Sequence, residues 1–252
     1  MDKRVEILME EISAGLQIII EDNLVGIYIH GSVAFGCFNR ENSDVDFIVV
    51  TQEEPDFIQK KQIIKLLLEN DKSAPAKGLE VSFVLEKDCR DFVYPTPYQL
   101  HYSNYHKEKY LSDPDGHINR LQGTDKDLAA HFTVINNIGI TFYGKDRKDV
   151  FSPVPEEFYL DSIKFDIENA VEEITENPVY LILNLCRMLS YIKDKAVLSK
   201  ADGGLWGINN LPQYKSIIEK AYRQYVYNEN TEFDNNILTE FAQYMLYKIY
   251  NE

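Results

Sequence analysis

Cysteine is scarce in this chain: Cys37, Cys89 and Cys186 are the only three among 252 residues, an odd number without a Cys-x-x-Cys pair. That indicates neither a disulfide framework nor a cysteine-built zinc cluster, and it fits a reducing compartment. Long hydrophobic runs are also lacking. The first twenty residues, MDKRVEILMEEISAGLQIII, have charges scattered through them and no small-residue cleavage site. No stretch approaches the roughly 20 apolar residues of a membrane span. The expectation is a cytoplasmic protein that does not engage membranes. Positive charge is in deficit, with 26 Lys and Arg against 41 Asp and Glu, a formal charge of −15 and a pI of about 4.8. Such a surface opposes the phosphate backbone of long nucleic acids and suits a cationic small substrate, although many cytosolic proteins are acidic for solubility alone. Internal repeats and low-complexity segments are absent.

What is present points to a folded protein. Hydrophobic residues make up 44% and aromatic residues 12% of a chain long enough for one large domain or two ordinary ones. Val5, Leu8, Ile12, Leu16 and Ile19 recur at helical spacing over 3–20. LVGIYIH at 24–30, DVDFIVVT at 44–51 and LEVSFVL at 79–85 read as strands, the second apolar enough for a sheet covered on both faces. Pro55 opens a helical stretch to residue 70. An aromatic, proline-broken connection follows the third strand, and from about 125 the pattern is helical at 125–140, 156–176, 178–195, 199–209, 213–227 and 232–250. The reading is an α/β (α+β) domain with a mixed sheet over 1–150, then an all-helical domain over 151–252, with the boundary near FSPVPEE.

The segment IHGSVAFGCFNRENSDVDFIVV carries the chemistry. Asp44 and Asp46, two apart on a strand, send their side chains to the same face, and Glu80 opens the next strand where it can converge on them. Three crowded carboxylates repel unless a cation sits among them, and hard oxygen ligands suit magnesium. Magnesium keeps phosphate company. Gly31 can let the backbone approach a phosphate, Ser32 adds a hydroxyl and an N–H at the start of a helix over 32–38, and Ser43 offers one more donor. A Gly-Ser pair or an Asp-x-Asp alone is weak evidence, and a solvated strand edge explains either. Their combination with a third acid on a further strand is far more specific.

HGSVAFGCFNRENSDVDFIVV resembles the signature of the polymerase-beta-like nucleotidyltransferase superfold. LEVSFV, YPTPYQL, DKDLAAHFTVINNIGITFYG, LILNLCRMLSYIKDKAVLSKADGGLWGINNLPQY and AYRQY are similar, in order, to segments of the streptomycin 3''/spectinomycin 9 adenylyltransferases, a family of aminoglycoside O-nucleotidyltransferases. The resemblance implies transfer of AMP from ATP to an aminoglycoside hydroxyl by a monomer using two magnesium ions. Asp44 and Asp46 are then metal ligands, and Glu80 is a further ligand and the base. By the same likeness Arg187 and Lys200 reach across an interdomain cleft to the ATP phosphates, and Asp127 and Tyr225 shape the nucleotide site. The drug site departs from the pattern: Tyr105 stands where streptomycin-modifying members have tryptophan, and the nearest acids for the pocket are Glu172, Glu173 and Glu176, a run that equally suits a solvated helix face.

Other readings stay open. The fold could serve another acceptor, such as a lincosamide, a metabolite or a protein hydroxyl, or a non-catalytic nucleotide-binding regulator, which has no need of a base. Arg187, in a helix apolar almost all round, needs an anionic partner, which an internal acid would satisfy as well as a phosphate. His30 reads as a packed core residue, and Trp206, the single tryptophan, likewise as core.

Overall fold

The apolar stripe of residues 3–20 forms one amphipathic helix, α1 (Lys3–Ile20), capped by Asp2, whose carboxylate accepts from the Arg4 and Val5 N–H groups. The computed structural model describes residues 1–120 and 122–251. After α1 come β1 (Leu24–Ile29), α2 (Gly31–Phe35), β2 (Val45–Thr51), α3 (Phe57–Asn70), β3 (Leu79–Leu85) and α4 (Glu86–Arg90). Two short strands, β4 (Thr96–Tyr98) and β5 (Leu100–Tyr102), lead to α5 (Asn104–Ser112), α6 (Pro114–Arg120), β6 (Gly123–Asp125), α7 (Asp127–Ile138), β7 (Ile140–Gly144) and α8 (Arg147–Val150). The main sheet has the order β5-β3-β2-β1-β7, and β4 pairs with β6 in a separate ribbon. Only β2 and β3 run parallel; the other neighbours are antiparallel, so the sheet is mixed as expected.

Alternation along the strands sorts two apolar layers. Ile27, Ile29, Phe47, Val49, Val81 and Phe83 pack with Leu8, Ile12 and Leu16 of α1 and Ile63 and Leu67 of α3. Tyr28, Ile48, Val50 and Val84 pack on the opposite side with Leu128, Phe132 and Ile135 of α7. Coverage on both faces is why β2 reads as an unbroken apolar run. The crossover helix α3 starts at a reciprocal cap: Asp56 accepts from the Gln59 N–H, and the Gln59 side chain accepts from the Asp56 N–H. Such a cap stabilises a helix by about 1 kcal/mol.

Contacts divide the chain into two units, Met1–Tyr159 and Leu160–Glu252. The division falls within α9 (Glu156–Phe165). Helices α10 (Ala170–Glu173), α11 (Pro178–Asp194), α12 (Lys200–Asn210), α13 (Lys215–Tyr227) and α14 (Asn235–Asn251) follow. Pro178 sits at the first turn of α11, where its missing N–H costs nothing. Gly203, Gly204 and Gly207 let α12 lie directly on α11: added β-carbons would fall 2.6 Å from Arg187 Cγ, 2.7 Å from Leu183 Cδ2 and 2.6 Å from Cys186 Sγ.

Several boundaries differ from the sequence reading. The helix expected over 156–176 ends at Phe165, turns, and resumes only for Ala170–Glu173. The strand expected from 44 begins at Val45, and the one expected to 30 stops at Ile29. Strands β4 to β7 were not expected. No helix among the described residues is long and apolar enough to cross a membrane.

Candidate active site

Because β2 and β3 are parallel, their N-terminal ends lie side by side, and Asp46 is the register partner of Glu80. Both sit in step with Ile48, Val50 and Val84, so they continue the apolar face under α7 out to the rim of the sheet. Asp44 lies one residue ahead of β2. One carboxylate oxygen from each of Asp44, Asp46 and Glu80 lies within 4.8 Å of the others, and all three residues are half-buried. Two full charges at this spacing repel by about 3 kcal/mol in a medium of effective dielectric about 20. A divalent cation relieves that repulsion, and an all-oxygen donor set selects a hard one.

Gly31 is fixed by the same geometry. Its φ is +57°, and a β-carbon there would lie 1.8 Å from Asp46 Oδ2. The group that approaches Gly31 is therefore the Asp46 carboxylate, where the sequence reading had a phosphate. The His30 N–H donates to the Asp46 carbonyl at 3.0 Å, pinning the end of β1 to β2. The helix expected over 32–38 is the short α2, ended by Gly36 in the left-handed region. Ser32 Oγ is buried and has no hydrogen-bond partner, a donor left for a bound group. Ser43 is buried and ties its own loop, with Oγ accepting from the Asn39 N–H at 3.1 Å. The donor set, the unpartnered hydroxyl and the missing β-carbon together fit a magnesium–nucleotide group.

Three groups near this rim, Ser82, His101 and His131, escaped the sequence reading. Ser82, two residues after Glu80 and so on its face, has Oγ 2.9 Å from Nδ1 of His101, its partner on β5. Burial, aided by His106 and His131 and opposed by Asp125, lowers His101 to about 4. His30 is buried, as expected, and its ring centroid lies 4.5 Å from that of His131 on α7. Burial first and His131 second hold it well below the usual histidine range. The period-two spacing from Glu80 was the signal for Ser82; nothing local marked His101 or His131.

The remaining candidates divide between the two units. Asp127, half-buried, is the first residue of α7, and its N–H donates to Asp125 Oδ1 at 2.9 Å. Tyr105 on α5 is 78% exposed, with Lys109 Nζ 4.6 Å from its ring centre. In the second unit Arg187 Nη1 donates to Asn184 Oδ1 at 2.9 Å, and no ion pair holds the guanidinium among the described residues. Within its unit the guanidinium thus meets a neutral amide rather than an internal acid. Asn184 is itself buried, with Nδ2 unpartnered. Lys200 opens α12, whose first turn carries the Gly203 that packs on Arg187, and its Nζ lies 5.0 Å from the Tyr180 ring centre. Tyr225 is half-buried on α13, and Glu172, Glu173 and Glu176 are all exposed. Trp206 is half-buried rather than core, donating from Nε1 to Asp194 Oδ2 at 2.6 Å.

A mixed sheet with acids at the head of a parallel strand pair defines a nucleotidyltransferase domain, and residues 12–109 match the nucleotidyltransferase domain family. Residues 149–248 match the C-terminal domain of aminoglycoside adenylyltransferases. The two matches follow one another in that order and together take in most of the chain. Among solved structures, spectinomycin adenyltransferase AAD(9) from Enterococcus, crystallised with ATP and spectinomycin, shares the fold with a TM-score of 0.79 and 20% identity, over 97% of this chain and 99% of that one. Comparison with curated proteins gives no match.

Proposed function

We propose that the protein is an ATP-dependent, magnesium-dependent adenylyltransferase that moves AMP onto a hydroxyl of spectinomycin, streptomycin or a related aminoglycoside and so confers resistance. The observation that carries this is the convergence of Asp44, Asp46 and Glu80 beside Gly31. The C-terminal domain match and the ligands of the AAD(9) crystals support the choice of acceptor and nucleotide.

In the reaction the acceptor oxygen forms a bond to the α-phosphorus of ATP, the bond from that phosphorus to the bridging oxygen breaks, and pyrophosphate leaves. Asp44 and Asp46, with Glu80, would hold magnesium, which when bound stabilises the attacking and leaving oxygens. Glu80 takes the proton of the acceptor hydroxyl, a role typically contributing about 10²–10⁴-fold. Asp46 stays in place because Gly31 leaves room for its carboxylate. Ser32 donates to a phosphate oxygen, and Gly31 and Ser43 shape the turn that receives it. We assign Arg187 and Lys200 of the helical domain, 151–252, to the triphosphate, Asp127 and Tyr225 to the nucleotide, and Tyr105 and Glu173 to the acceptor.

The test is pyrophosphate release from ATP and magnesium across a panel of acceptors. Release with spectinomycin or streptomycin supports the assignment. Release only with an unrelated acceptor, or nucleotide binding without any turnover, overturns it.

A further inference from the structure

A second feature of the first unit has no part in that chemistry. Helix α3 carries Phe57, Lys61, Lys65 and Leu68 on one face, spaced by three or four residues and flanked by buried Ile64, and Lys72 follows in the turn just after the helix. These residues and others of α5 and α6 line an open groove of about 850 Å³, well within the range of small-molecule sites. Its walls leave large apolar groups in water: Ile58 is 67% exposed, Leu111 57% and Phe57 39%.

The charge of the groove runs against that of the chain. Four lysines and a single acid, Glu69, line it, whereas the whole protein carries −15. Two of the lysines are committed elsewhere, Lys107 to buried Asp71 at 2.5 Å and Lys61 to Asp115 at 2.8 Å. Lys65 meets Glu69 only at 4.0 Å with both side chains largely exposed, and Lys72 has no ion pair among the described residues. Positive charge is therefore left over at the Lys65–Lys72 end, and apolar surface runs about 16 Å along the helix from Phe57 to Leu68.

We propose that this groove binds a free amphiphilic anion, a long-chain carboxylate, with the chain laid along α3 against Phe57, Ile58 and Leu111 and the head group between Lys65 and Lys72. An apolar trench alone would suit many occupants. The cationic end on an otherwise acidic molecule selects a negative head, and the volume selects a single chain rather than a protein helix. The site is separate from the carboxylate trio, so the proposal stands independently of the adenylyl-transfer reading.

Isothermal titration calorimetry with dodecanoate, below the concentration at which it forms micelles, tests this on the full chain. One site per chain is expected, weakening as salt is raised. Dodecyltrimethylammonium, with the same chain and the opposite charge, and acetate, with the head alone, should fail to bind. Leu111→Glu should weaken dodecanoate by about tenfold or more, and Lys65→Glu with Lys72→Glu by a similar factor. Circular dichroism should leave both variants folded, because the altered side chains are exposed. Equal binding of the two head-group charges, unchanged affinity in the variants, or capture of anionic phospholipid vesicles without monomeric dodecanoate would overturn the proposal. So would concentration-dependent self-association in ultracentrifugation that Leu111→Glu abolishes, since the occupant would then be a second copy of the chain.

Discussion

Alanine placed at Gly31 and alanine placed at Gly36 differ in one respect that isolates the role of the first glycine. Both glycines have φ in the left-handed region, +57° and +74°. An L-residue there costs roughly 1–2 kcal/mol, which for a chain of this size lowers Tm by about 2–4 °C per kcal/mol. At Gly36 that is the whole effect, because the added β-carbon meets nothing within 4 Å. At Gly31 it would sit 1.8 Å from Asp46 Oδ2 and 2.6 Å from Asp46 Cγ. The carboxylate must retreat by about 1.5 Å or more to reach ordinary contact, whereas metal sites tolerate ligand errors of only about 0.2 Å. A misplacement of about 1 Å near the reacting centre typically costs on the order of 10²-fold. Calorimetric melting should therefore show both variants a few degrees less stable, while pyrophosphate release falls on the order of 10²-fold in Gly31→Ala and only a few-fold in Gly36→Ala. Equal turnover in the two variants would refute the link between Gly31 and the placement of Asp46. An equal collapse in both would shift the cause to backbone strain.

Glu80→Gln should keep ATP binding, measured by calorimetry, and lose transfer by about 10²–10⁴-fold; unchanged transfer would remove Glu80 from the role of base. Asp46→Asn should abolish magnesium-dependent nucleotide binding as well as turnover, and a wild-type magnesium titration would contradict its place among the ligands. Acid should destabilise the fold below the ordinary histidine range. His30, His101, His106 and His117 are all held below their usual values, chiefly by burial. The unfolded chain takes up protons below about pH 6.5 while the folded one does not, so stability falls as pH drops from there toward the folded-state values. His101, lowered to about 4, accounts for about 2 kcal/mol of loss by pH 5. Urea midpoints measured from pH 7.5 to pH 5 should show a shallower decline in His101→Gln, and identical slopes would exclude it.

Much of this arrangement was legible in the residues, and the parts that were not have physical reasons. The three central strands, the helices α1 and α3 and the meeting of Asp44, Asp46 and Glu80 followed from period and spacing, because each element buries a full face and the pattern records it. Strand β5 is only Leu100–Tyr102 in an aromatic, proline-broken stretch, too short to show alternation. Strand β7 follows α7 after the single residue Gly139, so its apolar run reads as a continuation of the helix. The break in 156–176 has neither proline nor glycine to mark it. The neutral partner of Arg187 was within reach, since Asn184 lies one turn earlier, but sequence cannot say which of several groups a guanidinium chooses.

The lone parallel pairing in the sheet also governs when the acidic cluster can come into being. Residues 46 and 80 become neighbours only after the chain has left β2, wound through α3 and returned to start β3 in the same direction. A hairpin would close sooner but would set Glu80 at the far end from Asp46. Non-local closures of this kind form late on a folding pathway. Affinity for divalent ions should accordingly emerge during refolding only once the crossover has docked, which makes ion uptake a clock for completion of the sheet.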